Sequence, residues 1–174
     1  MLELLNDEEM MDDYVLSKII RYNHRNKLQD ENVATHSFYV SLFCLKILSK
    51  LNLDKDADRQ VLILAALHDM AESKTSDIPH DVKSNYPEMQ RILDKIERDY
   101  YQKHWPQYFE DVYMPGRLVS SIVKLADAYS VYQYCLNENM LGNISDEILN
   151  IKNEALTRIN KYTEIINVEV YNKI

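Results

Sequence analysis

The sequence predicts an all-α fold, one bundle of about six or seven helices. Three observations carry this prediction. Only two glycines, Gly116 and Gly142, and four prolines occur in 174 residues, whereas sheet-rich folds use many of both at their turns. Apolar residues recur at helical spacing along most of the chain. Hydrophobic residues make up 46% of the sequence, enough for a real core. The length suits a single domain over residues 1–174.

A first helix is predicted from about Glu8 to Arg21. Asn6 or Asp7 serves as its cap, and the acids of its first turn suit the helix dipole. Residues Tyr22 to Glu31 are polar and irregular. A second helix follows Asn32 as cap and runs to about Lys50, with Val40, Phe43, Cys44, Ile47, Leu48 and Leu51 at core spacing. The third starts near Asp54–Asp56 and runs to about Glu72. Its segment Val61–Leu67 is apolar all round, which predicts a central, enclosed helix. Asp77-Ile78-Pro79 reads as a turn or short helix. Pro87 suits the first position of a helix through Ile92, Leu93, Ile96 and Tyr100, and Trp105-Pro106 interrupts it. Pro115 opens a long helix to about Leu141, which Gly142 stops. Ser145 caps a last helix reaching Tyr171.

Composition excludes several classes of function. Gly116 and Gly142 cannot build a P-loop or a dinucleotide fingerprint, both of which need closely spaced glycines. A net charge of -8 and a pI near 5.1 argue against binding a nucleic-acid polymer, which wants a basic face. The acidic N-terminus is no secretory signal, and the longest apolar run is far short of a membrane span. Cys44 and Cys135 form no metal or redox spacing and are expected as buried thiols, consistent with a cytoplasmic protein.

The chemistry concentrates at polar interruptions of apolar helices. His68-Asp69 ends the most hydrophobic helix, where two polar groups are costly unless something satisfies them. Glu72 falls at the spacing that shares their helix face. His36 interrupts the second helix, and Asp127 interrupts Leu125-Ala126-Asp127-Ala128. One buried histidine alone reads as a core residue. Two imidazoles and two carboxylates on three core helices make a suitable set for a divalent transition metal.

These residues carry a resemblance. His36, His68-Asp69 and Asp127 match the H…HD…D pattern of the HD-domain metal-dependent phosphohydrolases. Glu31 to Ser37, His68-Asp69-Met70-Ala71-Glu72, Asp77-Ile78-Pro79, Val82-Lys83 and Val123 to Ala128 resemble the motifs of the bacterial HD-domain 5'-deoxynucleotidases, the YfbR-like group. Arg21-Tyr22 falls where that group carries Arg-Trp. The resemblance covers about Arg21 to Glu138. There are two departures. Thr35 stands where the group has Glu, which is expected to change a contact behind the first histidine. Tyr22 stands in place of Trp, which bears on substrate choice.

The resemblance implies an HD-domain helical bundle and a metal-dependent phosphohydrolase that removes phosphate from deoxynucleoside 5'-monophosphates. His36, His68, Asp69 and Asp127 would bind one divalent ion (Co, Mn, Zn or Mg), whose bound water attacks the phosphorus. Glu72 would accept that water's proton or hold it in line. Asp77 would assist the leaving oxygen, fix a water, exchange roles with Glu72, or simply cap the Ile78-Pro79 turn. Arg21, Tyr22, Lys83 and Lys124 are the substrate-binding candidates, with a surface salt bridge the alternative for Lys124. His24, His80 and His104 are expected at the surface.

The nearest alternative activity is release of triphosphate from a dNTP, as in dATP-selective phage enzymes of the superfamily. A non-catalytic HD nucleotide-binding module is a second class. A ferritin-like di-iron oxygenase is a third, and it lacks the required Glu-x-x-His spacing. The expected partners are a small deoxynucleotide and further copies of the chain. Tyr129, Tyr132, Tyr134, Tyr162 and Tyr171 are candidates for a subunit contact.

Overall fold

The computed structural model describes residues 13–171, without the side chains of residues 80, 81, 84 and 171. The start predicted for the first helix, the acidic N-terminus, and the side chains of His80 and Tyr171 lie outside this range.

Helical structure at the N-terminal side ends earlier than expected, in a 3-10 turn at Leu16–Lys18. The reason is a competing pairing. Ile20 forms an antiparallel bridge with Asn32. Arg21 N–H donates to the Glu31 carbonyl at 2.8 Å, and Val33 N–H donates to the Ile19 carbonyl at 3.0 Å. Residues 22–31 thus form a loop zipped at its base, with Tyr22 at φ 55° turning the chain. Glu138 pins its far side. This fully buried carboxylate accepts from the amides of Leu28 and Gln29, at 2.9 and 2.8 Å, and from Asn143 Nδ2 at 2.6 Å.

Helix α1 spans Val33–Leu51, and its Asn32 cap accepts from Thr35 N–H as the sequence predicts. Helix α2 spans Lys55–Leu67 and is capped by Asp54. Short helices α3 (Glu72–Thr75) and α4 (His80–Asn85) lead into α5 (Pro87–His104), which opens on proline. After Trp105-Pro106 comes α6 (Phe109–Tyr113). Helix α7 spans Arg117–Met140. Gly142, at φ 101°, stops it in a conformation that favours glycine. Helix α8 spans Asp146–Tyr171, with Ser145 Oγ accepting from Ile148 N–H. The four residues 168–171, strand-like in composition, continue α8.

The central helix is α7, not α2. α7 packs on α1, α2 and α8 and buries the largest set of side chains. α2 stops at Leu67, short of the predicted Glu72. Its Leu62, Ile63, Ala66 and Leu67 instead line a groove of about 660 Å³ together with Trp105 and Tyr108. One flank of this apolar helix is therefore only partly covered. Cys44 and Cys135 are free and buried, and burial pushes both thiols up to about 12. No helix among the described residues is long and apolar enough to cross a membrane.

Candidate metal centre and active site

The chain tightens where α2 ends. The amides of Met70, Glu72, Ser73 and Lys74 each bond the carbonyl three residues back, at 3.0–3.1 Å. Tyr101 OH donates to the Leu67 carbonyl at the same junction. With i, i+3 side chains nearly eclipsed in such a turn, Asp69 and Glu72 keep to one side although the helix has ended. Both line a small cavity of about 90 Å³ with His68, Ala71, Thr75, Lys83, Leu93 and Glu97.

His36, from α1, reaches this turn across the core. Its Nε2 lies 3.2 Å from Asp127 Oδ1 and 3.6 Å from Asp69 Oδ2. His68 Nε2 lies 3.2 Å from Asp69 Oδ2, but it is not aligned as a hydrogen bond and has no other partner. Ligand atoms of His36, His68 and Asp69 all fall within 4.8 Å of one another. Asp127 stands beside this group through its contact with His36, and its other oxygen accepts from Arg158.

The second nitrogen of each imidazole is occupied. His68 Nδ1–H donates to the Ala65 carbonyl at 2.8 Å, and His36 Nδ1 lies 3.1 Å from Ser130 Oγ. That arrangement turns both Nε2 atoms toward the carboxylates. With both Nε2 atoms unprotonated, as metal ligation requires, their lone pairs would face two carboxylates and repel them unless a cation lay between, and the buried His68 Nε2 has no hydrogen-bond partner. The donor set, two nitrogens and two oxygens with tethered imidazoles, fits a divalent metal.

The electrostatics agree. Burial, the largest influence, would lower His68, but Asp69, Asp127 and the Ala65 carbonyl together outweigh it and raise the imidazole to about 9. A proton takes the place of the cation there. Burial and the Arg21 charge lower His36. Burial would raise Asp69 and Asp127, yet the histidines beside them, with Arg158 and Arg21, hold both well below the usual carboxylate range. Glu72 behaves in the opposite way. Burial, with Asp69 and Asp77 nearby, pushes it up to about 8, and its Oε2 has no partner.

The other candidates are distributed around this centre. Asp77 Oδ2 accepts from the Tyr22 amide at 3.4 Å. Arg21 Nη1 pairs with Glu31 Oε2 at 2.8 Å, both half-buried, and its charge reaches Asp69 and Asp127. Tyr22 stacks on Tyr134 with ring centroids 4.7 Å apart and packs beside Cys135 and Ile148. It is absent from the lining of the small cavity. Lys83 lines that cavity, whereas Lys124 is exposed on α7. Thr35 is exposed while His36 is buried, and the cap uses only its amide. The expected contact behind His36 is made by Ser130 instead. His24 is exposed, but His104 is half-buried and stacks on Tyr100. Tyr134 is buried within the chain, and Tyr132 and Tyr162 pack against the core. Tyr129, at 38% exposure, is the member of the proposed contact set left open to solvent among the described side chains.

Sequence reasoning missed Ser130, Arg158, Glu97 and Glu138. Ser130 carried a signal, since it lies one helical turn beyond Asp127 on a buried face. Arg158 and Glu97 carried none, because each is an ordinary charge on an amphipathic helix.

Comparison with known proteins agrees with the helical fold. The profile of the family described as 5'-deoxynucleotidase YfbR-like matches residues 13–174. A 5'-deoxynucleotidase of Vibrio vulnificus is 32% identical over 140 residues, covering 72% of this chain and 71% of the relative. An HD-domain phosphohydrolase of Listeria innocua superposes with TM-score 0.75 at 22% identity, over 95% of this chain and 85% of that one. The cyanophage S-2L HD phosphohydrolase DatZ, bound to dA and one catalytic Zn2+, superposes with TM-score 0.61 at 20% identity, over 95% and 99%. With an HD-type helical fold, the chain belongs to the YfbR-like 5'-deoxynucleotidase family.

Proposed function

We propose that residues 1–174 act as one HD domain that hydrolyses deoxynucleoside 5'-monophosphates to the nucleoside and orthophosphate. One divalent ion would be held by His36, His68, Asp69 and Asp127. The observation that carries this reading is the convergence of His36, His68 and Asp69 ligand atoms within 4.8 Å, beside a cavity containing Glu72. Membership in a deoxynucleotidase family supports the substrate class.

A bound divalent metal lowers the pKa of a water and offsets charge on the phosphoryl oxygens. The protein's own groups do the rest. Ser130 and the Ala65 carbonyl fix the two imidazole rings so that each Nε2 faces the metal position. Glu72 takes the proton of the attacking water. Its unpartnered Oε2 and raised pKa suit a base working near neutrality. Lys83 lines the same cavity and offsets phosphate charge. A cavity of about 90 Å³ has room for a phosphoryl group and a water, so the nucleoside lies outside it. Arg21 adds positive charge next to Asp69 and Asp127. Asp77 accepts from the Tyr22 amide and orders the Arg21-Tyr22 turn.

The test is a screen of deoxy- and ribonucleoside mono- and triphosphates with Co2+, Mn2+, Zn2+ or Mg2+ and product identification. Orthophosphate from dAMP or another deoxynucleoside monophosphate is the expected result. Tripolyphosphate from dATP, with no orthophosphate from any monophosphate, would replace this reading with a triphosphohydrolase.

A further inference from the structure

We propose that Arg158, on α8, is a positioning residue that presents Asp127 to the metal through one oxygen only. This rests on the metal site proposed above. The two oxygens of Asp127 have different neighbours. Oδ1 lies 3.2 Å from His36 Nε2, toward the metal position, and Oδ2 takes a charge-assisted hydrogen bond from Arg158 Nη2. Elsewhere α8 packs through buried apolar side chains such as Ile148, Ala155 and Ile159, and a second ion pair, Arg117–Glu169, joins it to the start of α7. The ion pair therefore links the last helix of the chain to the metal carboxylate.

A carboxylate held only from the metal side can rotate and exchange its two oxygens. Arg158 removes that freedom by occupying Oδ2, and its planar fork does this with more directional precision than an ammonium group. An opposing effect exists, since a nearby cation weakens a carboxylate as a donor to another cation. Magnitudes decide between the two. The Arg158 side chain is 40% exposed against 23% for Asp127, so solvent screens its charge toward the metal. Loss of a group that orients a metal ligand costs about 10- to 100-fold in metal affinity. Orientation wins, and removal of Arg158 weakens binding.

The experiment titrates metal-free full-length protein with Co2+, followed by calorimetry and visible absorption. Thermal melts of the metal-free proteins run in parallel. Arg158→Met keeps the aliphatic stem over the helix junction and should lose about 10-fold or more in Co2+ affinity. Arg158→Lys should recover part of that loss. Arg117→Met breaks a different ion pair, the 3.3 Å contact between α7 and Glu169 of α8, and should bind Co2+ as wild type does. A merely structural role would lower the metal-free melting temperature and leave Co2+ affinity unchanged, which would overturn the proposal. So would tighter binding, or a raised KM for dAMP at unchanged Co2+ affinity, which would make Arg158 a substrate ligand. If the methionine variant does not fold, the lysine variant is judged by the same criterion. Wild-type protein that fails to bind Co2+, or an Asp69→Asn variant that binds it equally well, overturns the metal site itself and the role of Arg158 with it.

Discussion

Glu72 and His68 stand on opposite sides of one charge balance. Glu72 is an acid whose pKa is raised to about 8 in the metal-free protein. The folded state therefore binds more protons than the unfolded state between pH about 4.5 and 8, and the stability attributable to this group falls as pH rises through that window. Metal-free Glu72→Gln is expected to melt several degrees above wild type at pH 8.5 and close to it at pH 4.5. The same substitution should lower kcat by about 10²- to 10⁴-fold and remove the acid limb of the kcat/KM profile, with Co2+ affinity little changed. Thermal melts and steady-state assays across pH check both. His68 is raised to about 9, and a metal requires its neutral form. Metal binding near pH 7 should release a proton, and apparent affinity should climb about tenfold per pH unit toward pH 9. Calorimetry in buffers of different ionisation enthalpy measures that proton directly.

Among the elements, the helices were legible and their ends less so. Asn32, Asp54, Pro87, Gly142 and Ser145 each act as local sequence rules require, because caps and stops depend on neighbouring backbone groups. The end of α2 is different. A helical pattern continues past Leu67, but the turn tightens there and Tyr101, from a distant helix, takes the Leu67 carbonyl. The loop 22–31 is another case. Its polar sequence predicted irregular structure, while its shape depends on Glu138, whose spacing from the loop carries no local signal. Glu138→Gln takes the charge from a fully buried acceptor that holds the Leu28 and Gln29 amides and Asn143, and is expected to cost about 1–3 kcal/mol. It should also raise KM, because the loop carries Tyr22 and is closed by Arg21. Chemical denaturation and substrate titration separate the two effects.

For the whole molecule, the proposed metal position joins α1, the turn after α2, and α7, which are separate in sequence and adjacent in the core. A ligand bound to the folded state alone stabilises it by about 2.7 kcal/mol at a hundredfold excess over Kd. Metal removal by a chelator should therefore lower the melting temperature cooperatively, and restoring Co2+ should recover it. Scanning calorimetry of the stripped and reloaded protein checks this. The net charge of -8 also takes its place at this scale, since in the proposed site Asp69, Asp127 and Glu72 would face a cation while Arg21 and Lys83 offset part of their charge.

The sequence by itself determined the all-α class, most of the caps, and the donor types His36, His68, Asp69 and Asp127. These follow from short-range periodicity and from polar groups standing where apolar ones are expected. Only the tertiary structure decided that α7 rather than α2 is central, that Tyr22 stacks on Tyr134, and that Ser130 and Arg158 stand behind two of the candidate ligands. Burial depth and side-chain partners across helices depend on how faces dock. Residues far apart in the chain leave no spacing from which that docking can be read.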